Sequence, residues 1–335
     1  MLVTWLQFAF CVAVISIAGY KLSIYGSVIA DRTGMGDTLV GLVLIATVTS
    51  LPELITGISA ATLANAPDIA IGSLLGSCVF NLALLVILDF LYREQSVYSK
   101  AHQGHVLSAG FGIVVIGFTG FSVLEGAVGV LPSVGPVGIY TPVIIVSYLL
   151  ATRTVFRYER EHRAEFVEEA TEKMPGVTLK AAIINYAFAA LVVIAAGAWL
   201  PVIGERMATE MGWQQSFVGT LLIAFATSMP ELVVTITALR LGALNMAIGN
   251  LLGSNLFNIA IVSMVDLVYL QGPILSHVSS VHAVSAMSAM IMSGIFIIGL
   301  FYRARTRLYR TVGWASLMLL TVYLINSYIL FIHVG

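Results

Sequence analysis

Long apolar segments separated by short polar connections occupy almost the whole chain of 335 residues. A membrane-spanning helix needs roughly 20 apolar residues, and ten segments have this character. They lie near residues 2–29, 37–64, 68–92, 105–124, 136–153, 178–203, 214–241, 245–270, 281–301 and 309–333. Several are longer than the minimum, which indicates tilted helices. The pattern therefore predicts an all-α integral membrane protein with ten transmembrane helices.

The positive charges predict how these spans are oriented. An even number of spans places both termini on one side. In the ten-span arrangement, fifteen of the sixteen Lys and Arg residues face the opposite side, and Arg206 alone lies on the side of the termini. Cytoplasmic loops carry the excess of Lys and Arg, so we expect a multi-pass protein of the cell membrane with both termini extracytoplasmic. The charged connection 154–177 is predicted to be a cytoplasmic linker.

The two halves of the chain repeat each other. An offset of 178 residues aligns the segment Thr49–Leu54 with Thr227–Leu232, and an offset of 177 aligns Gly72–Asn81 with Gly249–Asn258. Each half holds five predicted spans, and because five is odd the second half must cross the membrane in the opposite direction. Such inverted repeats are typical of secondary transporters. The predicted organisation is a first five-helix repeat at 1–153, the linker, and a second, inverted five-helix repeat at 178–335.

Composition excludes several classes of protein. Only 10% of the residues are charged and 59% are hydrophobic, whereas a soluble domain has about 25% charged residues. The net charge of -1 gives no reason to expect a nucleic-acid partner. Both cysteines, Cys11 and Cys78, lie in apolar segments, which indicates neither a disulfide framework nor a cysteine metal site. The lipid bilayer is the expected surrounding, and no obligate protein partner is evident.

Polar side chains at the middle of four spans supply the candidate chemistry. The second and seventh spans contribute one glutamate each, and the third and eighth contribute a serine and an asparagine four residues apart. These residues are Glu53, Glu231, Ser77, Asn81, Ser254 and Asn258. A carboxylate at the bilayer centre costs about 3 kcal/mol, which a bound cation or a proton could offset. An all-oxygen set with two negative charges suits a hard cation such as Ca²⁺.

A proline precedes each central glutamate. Pro52 and Pro230 cannot donate a backbone hydrogen bond, and their rings clash with the preceding turn. Each is therefore expected to break its helix and free backbone carbonyls around 46–49 and 224–227. Unpaired carbonyls at membrane depth are tolerated only against protein or a watery cavity, and a bound cation is one natural partner.

Four motifs carry a resemblance to a known family. They read ATVTSLPEL at 46–54, GSLLGSCVFN at 72–81, AFATSMPEL at 224–232 and GNLLGSNLFN at 249–258. In them the chain resembles the cation/Ca²⁺ exchanger superfamily, and within it prokaryotic-type sodium/calcium exchangers. The resemblance implies an antiporter with Ca²⁺ and Na⁺ as transported ions, no cofactor and no enzymatic activity, in which the first and sixth helices slide across the other eight.

The resemblance also implies roles for individual residues. Glu53 and Glu231 would bind Ca²⁺ with the backbone oxygens of Thr49 and Thr227. A second group would contribute to Na⁺ sites: Ala46, Ser50, Ser77, Ala224, Ser228 and Ser254. The chain departs from the family motifs at four positions: Val48, Ala226, Ser73 and Cys78.

Other functions remain open at this point. The asparagines at 81 and 258 argue mildly against K⁺ co-transport, and the Thr-Ser-x-Pro-Glu core argues mildly against H⁺ coupling. Ca²⁺/H⁺ exchange is the alternative function, and another divalent cation such as Mg²⁺ is a further one. The segment Gly34–Asp37 matches the G-x-G-D pattern of intramembrane aspartyl proteases, but it lies in a loop and lacks the partner Tyr-Asp motif. A cation sensor without transport would not need two matched half-sites.

Overall fold

The structure is a computed structural model. It describes residues 1–33, 49–92, 95–129, 131–161, 177–240, 242, 244–303, 307–308 and 312–332. The first part of the predicted span 37–64, together with Ala46, lies outside these residues, as does most of the predicted linker 154–177.

The described chain is almost entirely helical. The α-helices are α1 (Leu2–Thr33), α2 (Leu51–Thr62), α3 (Pro67–Leu91), α4 (Val97–Lys100), α5 (His105–Ala127), α6 (Tyr140–Glu161), α7 (Leu179–Met211), α8 (Gln215–Phe217), α9 (Ala224–Thr227), α10 (Met229–Arg240), α11 (Leu244–Val268), α12 (His282–Tyr302) and α13 (Trp314–Ile332). A π-helix at Val218–Ile223 joins α8 to α9, and a 3₁₀ turn at Ile274–Ser276 precedes α12. Two short antiparallel hairpins pair β1 (Ser133–Val134) with β2 (Val137–Gly138), and β3 (Arg307–Leu308) with β4 (Val312–Gly313).

Seven described helices are long and apolar enough to cross a membrane: α1, α3, α5, α7, α11, α12 and α13. The pair formed by Gln215–Thr227 and Met229–Arg240, bent by 43°, makes an eighth if it is counted as one span. Of the two other predicted spans, one includes the short α2, and the other lies in α6, which continues beyond Arg153 to Glu161. The all-helical membrane architecture is confirmed, whereas ten spans and their inversion stay predictions.

Polarity is distributed as expected for a protein surrounded by lipid. Large apolar side chains such as Val114, Phe188 and Ile298 are exposed on the outside of the helices, whereas Glu53 and Glu231 are fully buried. A water-soluble protein almost never buries a carboxylate without a partner. The two buried carboxylates therefore need binding partners, which are described with the site below.

The packing of the two halves is reciprocal. Helix α1 packs against α10 and α7 packs against α2, so each long first helix of a repeat contacts the broken helix of the other repeat. Likewise, α3 contacts the π-helix while α11 contacts α2, and α3 and α11 contact each other. This is the contact pattern expected of two related halves around a two-fold axis.

Glycines allow the long helices to approach the broken ones. A Cβ at Gly19 of α1 would lie 2.3 Å from Pro230, and a Cβ at Gly197 of α7 would lie 3.2 Å from Ile55. Two α2 hydroxyls also bond to α7 carbonyls, Thr56 to Gly197 at 3.2 Å and Ser59 to Ala198 at 2.6 Å. These contacts therefore place α1 directly against α10, and α7 directly against α2.

Two buried aspartates, one in each half of the chain, anchor the two hairpins. Asp89, near the end of α3, accepts hydrogen bonds from the backbone N–H of Val97 at 2.9 Å, from Gly313 N–H at 2.8 Å and from the Ser316 hydroxyl at 2.8 Å. Sequence alone places this residue at a span end and suggests an interfacial position, and in the structure its side chain is fully buried by protein.

Asp266, near the end of α11, repeats this arrangement. It accepts hydrogen bonds from Ile274 N–H at 2.8 Å and Gly138 N–H at 3.0 Å, and from the hydroxyls of Tyr140 and Thr141. Each aspartate therefore joins the third helix of one repeat to the hairpin that precedes the fifth helix of the other.

Candidate functional site

In both repeats a serine two residues before a proline departs from helical backbone geometry. Ser50, just before α2, has φ -87° and ψ 11°, and Ser228, between α9 and α10, has φ -85° and ψ 9°. These nearly identical values lie in the sparsely populated bridge region of backbone conformation. A local break next to each proline is therefore present, and each glutamate is the third residue of the helix that follows its serine.

The Glu53 carboxylate is held from both repeats. Its Oε1 atom accepts a hydrogen bond from the Ser228 hydroxyl at 3.0 Å and another from the Ser77 hydroxyl at 3.4 Å. Ser228 also lies 2.9 Å from Ser77, and Ser77 lies 3.5 Å from the Thr227 hydroxyl. All of these side chains are fully buried, so the centre is a polar cluster enclosed by protein.

Glu231 has the mirrored environment. Its Oε1 atom accepts a hydrogen bond from Ser50 at 3.2 Å and from Ser254 at 3.4 Å. The Thr49 side chain lies within reach of the same carboxylate. Each glutamate is thus bound by a serine of the opposite repeat and by a serine from the third helix of its own repeat. The site exists only where the two repeats meet.

The asparagines of α3 and α11 connect these helices directly. The Asn81 amide donates to the Asn255 side-chain oxygen at 3.1 Å, and the Asn255 amide donates to the Cys78 carbonyl at 3.1 Å. Asn255 is a bridging residue that the sequence interpretation left without a role, although its position in the second repeat motif could have indicated one. Cys78 holds the equivalent position in the first repeat, and it contributes its carbonyl here.

Several polar atoms in this cluster have no hydrogen-bond partner within the described part of the chain. They are Glu53 Oε2, Glu231 Oε2, Asn81 Oδ1, and both Asn258 side-chain atoms, Oδ1 and Nδ2. Leaving a buried acceptor unpaired costs about 1–3 kcal/mol, and more when it is charged. A cation placed among the free oxygens would remove this cost, so the residues present fit a cation.

The structure brings together nearly all of the residues singled out from sequence. Glu53, Ser77, Thr227 and Ser228 form one group, and Ser50, Thr49, Ser254 and Glu231 form the other. Asn81 and Asn258 are fully buried on the same two helices as the site serines. Ala224 is buried at the start of α9, where its carbonyl accepts the Ser228 N–H at 3.0 Å. Ala46 lies outside the described residues.

The ligand set favours a hard cation on chemical grounds. Carboxylate, hydroxyl and amide oxygens are the ligands of Ca²⁺, which accepts six to eight of them in flexible geometry. The hydrogen-bonded cluster contains no histidine, and its cysteine contributes a backbone oxygen, so it does not resemble a zinc site. Two carboxylates balance the charge of one divalent cation.

Comparison with known proteins agrees with this chemistry. The family model described as "sodium/calcium exchanger protein" matches residues 3–149 and 181–331, one match in each repeat. The chain is 25% identical over 301 residues to an uncharacterized membrane protein of Methanocaldococcus jannaschii, covering 89% of this chain and 88% of that one. It is 28% identical over 247 residues to the inner membrane protein YrbG of Escherichia coli, covering 72% of each.

A solved structure shares the fold. The sodium-calcium exchanger NCX_Mj, soaked with Na⁺ and Sr²⁺, matches 97% of this chain and 98% of its own with a TM-score of 0.60 at 20% sequence identity. At that identity the likeness shows the fold alone, whereas the family model covers most of the chain. The protein is therefore a multi-pass membrane transporter that belongs to the sodium/calcium exchanger family.

Proposed function

We propose that the chain is a secondary active antiporter that exchanges Ca²⁺ for Na⁺ at the site between its two repeats. The observation that carries this proposal is the pair of buried glutamates, each with one carboxylate oxygen bonded by serines and the other without a described partner. Two opposed carboxylates with free oxygens suit one Ca²⁺.

Competition for the same oxygens would couple the two ions. The proposed Ca²⁺ ligands are Glu53 and Glu231, with backbone oxygens of Thr49 and Thr227. The proposed Na⁺ ligands are Ala46, Ser50, Ser77, Ala224, Ser228 and Ser254, with Asn81 and Asn258 completing the oxygen set. Because Ser77 and Ser228 contact Glu53 directly, Na⁺ bound at these hydroxyls would share the carboxylate that Ca²⁺ needs. Mutually exclusive occupancy is what turns binding into exchange.

Alternating access would come from sliding of α1 and α7 across the remaining helices. These two long helices pack together through a small apolar cluster of their own, formed by Ala18 and Leu22 with Ala189 and Val193. Gly19 and Gly197 bring them against the two broken helices. A movement of this pair would therefore change which end of the centre is covered. In the proposed topology both termini are extracytoplasmic.

The experiment compares driving ions in proteoliposomes of the purified protein. We expect radioactive Ca²⁺ to accumulate under an outward Na⁺ gradient and not under a pH gradient alone. Uptake driven only by the pH gradient would replace the proposal with Ca²⁺/H⁺ exchange, and uptake of Mg²⁺ in preference to Ca²⁺ would change the substrate. Binding of Ca²⁺ without flux in any gradient would indicate a sensor.

A further inference from the structure

Thr235 of α10 and Asn250 of α11 define a second polar layer, separate from the central cluster. Thr235 follows Glu231 by four residues, and Asn250 precedes Ser254 by four residues. Residues four apart lie on the same face of a helix, one turn from each other. Each side chain therefore continues the face of its helix that carries a residue of the central site.

The two residues lie at the same level of the molecule. Helices α10 and α11 are in contact and are joined by residues 241–243 alone, and so short a connection makes neighbouring helices antiparallel. The Ser254–Glu231 contact of 3.4 Å fixes their register. One turn forward from Glu231 and one turn back from Ser254 both lead toward the α10–α11 turn.

The first repeat contains a contact that agrees with this register. Gly57 occupies the position equivalent to Thr235 at the offset of 178, and Ser73 the position equivalent to Asn250 at the offset of 177. A Cβ at Gly57 would lie 3.7 Å from Leu74 Cδ1, the residue next to Ser73. The position four after Glu53 therefore lies close to the residue that follows Ser73, as this register requires.

Neither member of the layer has its polar atoms bonded. Thr235 and Asn250 are 2% and 3% exposed. The Thr235 hydroxyl and both ends of the Asn250 amide have no hydrogen-bond partner among the described residues. Buried polar groups are normally paired, and each exception needs an explanation. Three orphan atoms at one level, one turn from the central site, point to a ligand held there.

The matching level of the first repeat could not serve this purpose. A Cβ at Gly57 would already lie 3.1 Å from Val265 and 3.8 Å from Ile261, so that level is closed by apolar packing. The Ser73 hydroxyl donates to the Ala70 carbonyl of its own helix at 2.9 Å. The second repeat thus has two buried polar side chains without described partners at this level. At the equivalent level of the first repeat, Gly57 is packed against apolar side chains and the Ser73 hydroxyl is already hydrogen-bonded.

We propose that Thr235 and Asn250 form a neutral cation subsite, which a partly hydrated monovalent ion, Na⁺, occupies between Glu231 and the end of the molecule at the α10–α11 turn. The layer offers a hydroxyl and an amide oxygen without charge. Protein sites for Ca²⁺ and Mg²⁺ usually include carboxylates, and this layer has none, so its neutral oxygens favour a monovalent ion. This inference rests on the proposed function and adds to it a Na⁺ subsite on one side of the central site, with no equivalent on the other side.

The test uses Thr235→Val and Asn250→Leu, which keep side-chain volume and remove polarity. Ser73→Ala is the matched control from the first repeat. Calcium efflux driven by external Na⁺ is measured in everted and in right-side-out vesicles from the same cells. We expect each variant to raise the half-saturating Na⁺ concentration about five-fold in one vesicle type. In the other vesicle type, the half-saturating Na⁺ concentration should change less than two-fold. The half-saturating Ca²⁺ concentration should change less than two-fold in both vesicle types.

A second readout separates binding from packing. Replacing an unpaired buried polar group with an apolar group of the same shape is neutral or stabilising, so both variants should retain or raise the midpoint of thermal unfolding. Unchanged Na⁺ dependence in both vesicle types, equal shifts in both, or lower stability with unchanged Na⁺ dependence would each overturn the subsite. If wild-type vesicles show no Na⁺-driven efflux, it is the proposed function that fails.

Discussion

Glu53 and Glu231 contrast with Asp89 and Asp266, although both pairs are buried carboxylates that repeat between the halves of the chain. Each aspartate has both oxygens engaged, and the described residues supply three donors at Asp89 and four at Asp266. Each glutamate has one oxygen bonded by two serines and one without a partner in the described chain. The two pairs of carboxylates are therefore alike in burial and in their repetition between the halves, and they differ in their hydrogen bonds.

The difference separates a structural role from a binding role. A carboxylate surrounded by three or four donors is stable as it stands, and it holds a hairpin against a helix end. A carboxylate with a free oxygen is incomplete until a cation or a proton reaches it. Function at such buried acids can thus be inferred from which oxygens remain unbonded.

The largest expected effect is loss of transport when a central glutamate loses its charge. Glu53→Gln or Glu231→Gln keeps the side-chain shape but removes an anionic ligand that the proposed site needs. Both variants should abolish Ca²⁺ flux in proteoliposomes while unfolding at a midpoint close to that of wild type. Glu161→Gln, at an exposed glutamate paired with Arg157, is the control and should transport normally. Full flux in either central variant would exclude that glutamate from the site.

The aspartates should respond in the opposite way. Asp89→Asn and Asp266→Asn turn one acceptor oxygen into an amide that faces donors, which we expect to cost about 3 kcal/mol of stability. The measurement is thermal unfolding in detergent, with the half-saturating concentrations of Ca²⁺ and Na⁺ determined on the fraction that folds. Stability should fall and the ion affinities should stay within two-fold. An altered affinity with unchanged stability would place the aspartates on the transport path.

A smaller effect should distinguish the two serines at the helix breaks. Ser228 bonds both Glu53 and Ser77, at 3.0 and 2.9 Å, whereas the Ser50 hydroxyl has one such bond, to Glu231 at 3.2 Å. We therefore expect Ser228→Ala to weaken Ca²⁺ binding about ten-fold and Ser50→Ala about three-fold. Calcium titration of the purified proteins measures both, with Ser122→Ala as a control for a hydroxyl bonded to its own helix. Equal effects would mean that the halves contribute symmetrically.

Much of this arrangement could be predicted from sequence because few residues can occupy the middle of an apolar span. The glutamates, the prolines beside them and the serines of α3 and α11 stood out against apolar neighbours, and the repeat offset placed them in matching positions. Sequence could not tell that Ser228 bonds Glu53 and Ser50 bonds Glu231, because repeat alignment says which residues correspond and not which ones touch.

The roles of Asp89, Asp266, Thr235 and Asn250 were hidden for a related reason. All four look ordinary in sequence, two near span ends and two among other helical polar residues. Their importance depends on partners far away in the chain, such as Gly313 for Asp89, or on the lack of any described partner, as at Asn250. Both kinds of information depend on which residues are neighbours in space, and only the structure gives them.

The crossed serine–glutamate bonds have a consequence for how such a chain could arise. Ser50 with Glu231 and Ser228 with Glu53 are the same contact seen from either half, as in the self-complementary interface of a two-fold homodimer. A shorter ancestor carrying one repeat would rebuild this contact set by pairing with a second copy of itself in the opposite orientation. Gene fusion would then free the two halves to diverge, so that one could keep a glycine at 57 where the other gained Thr235.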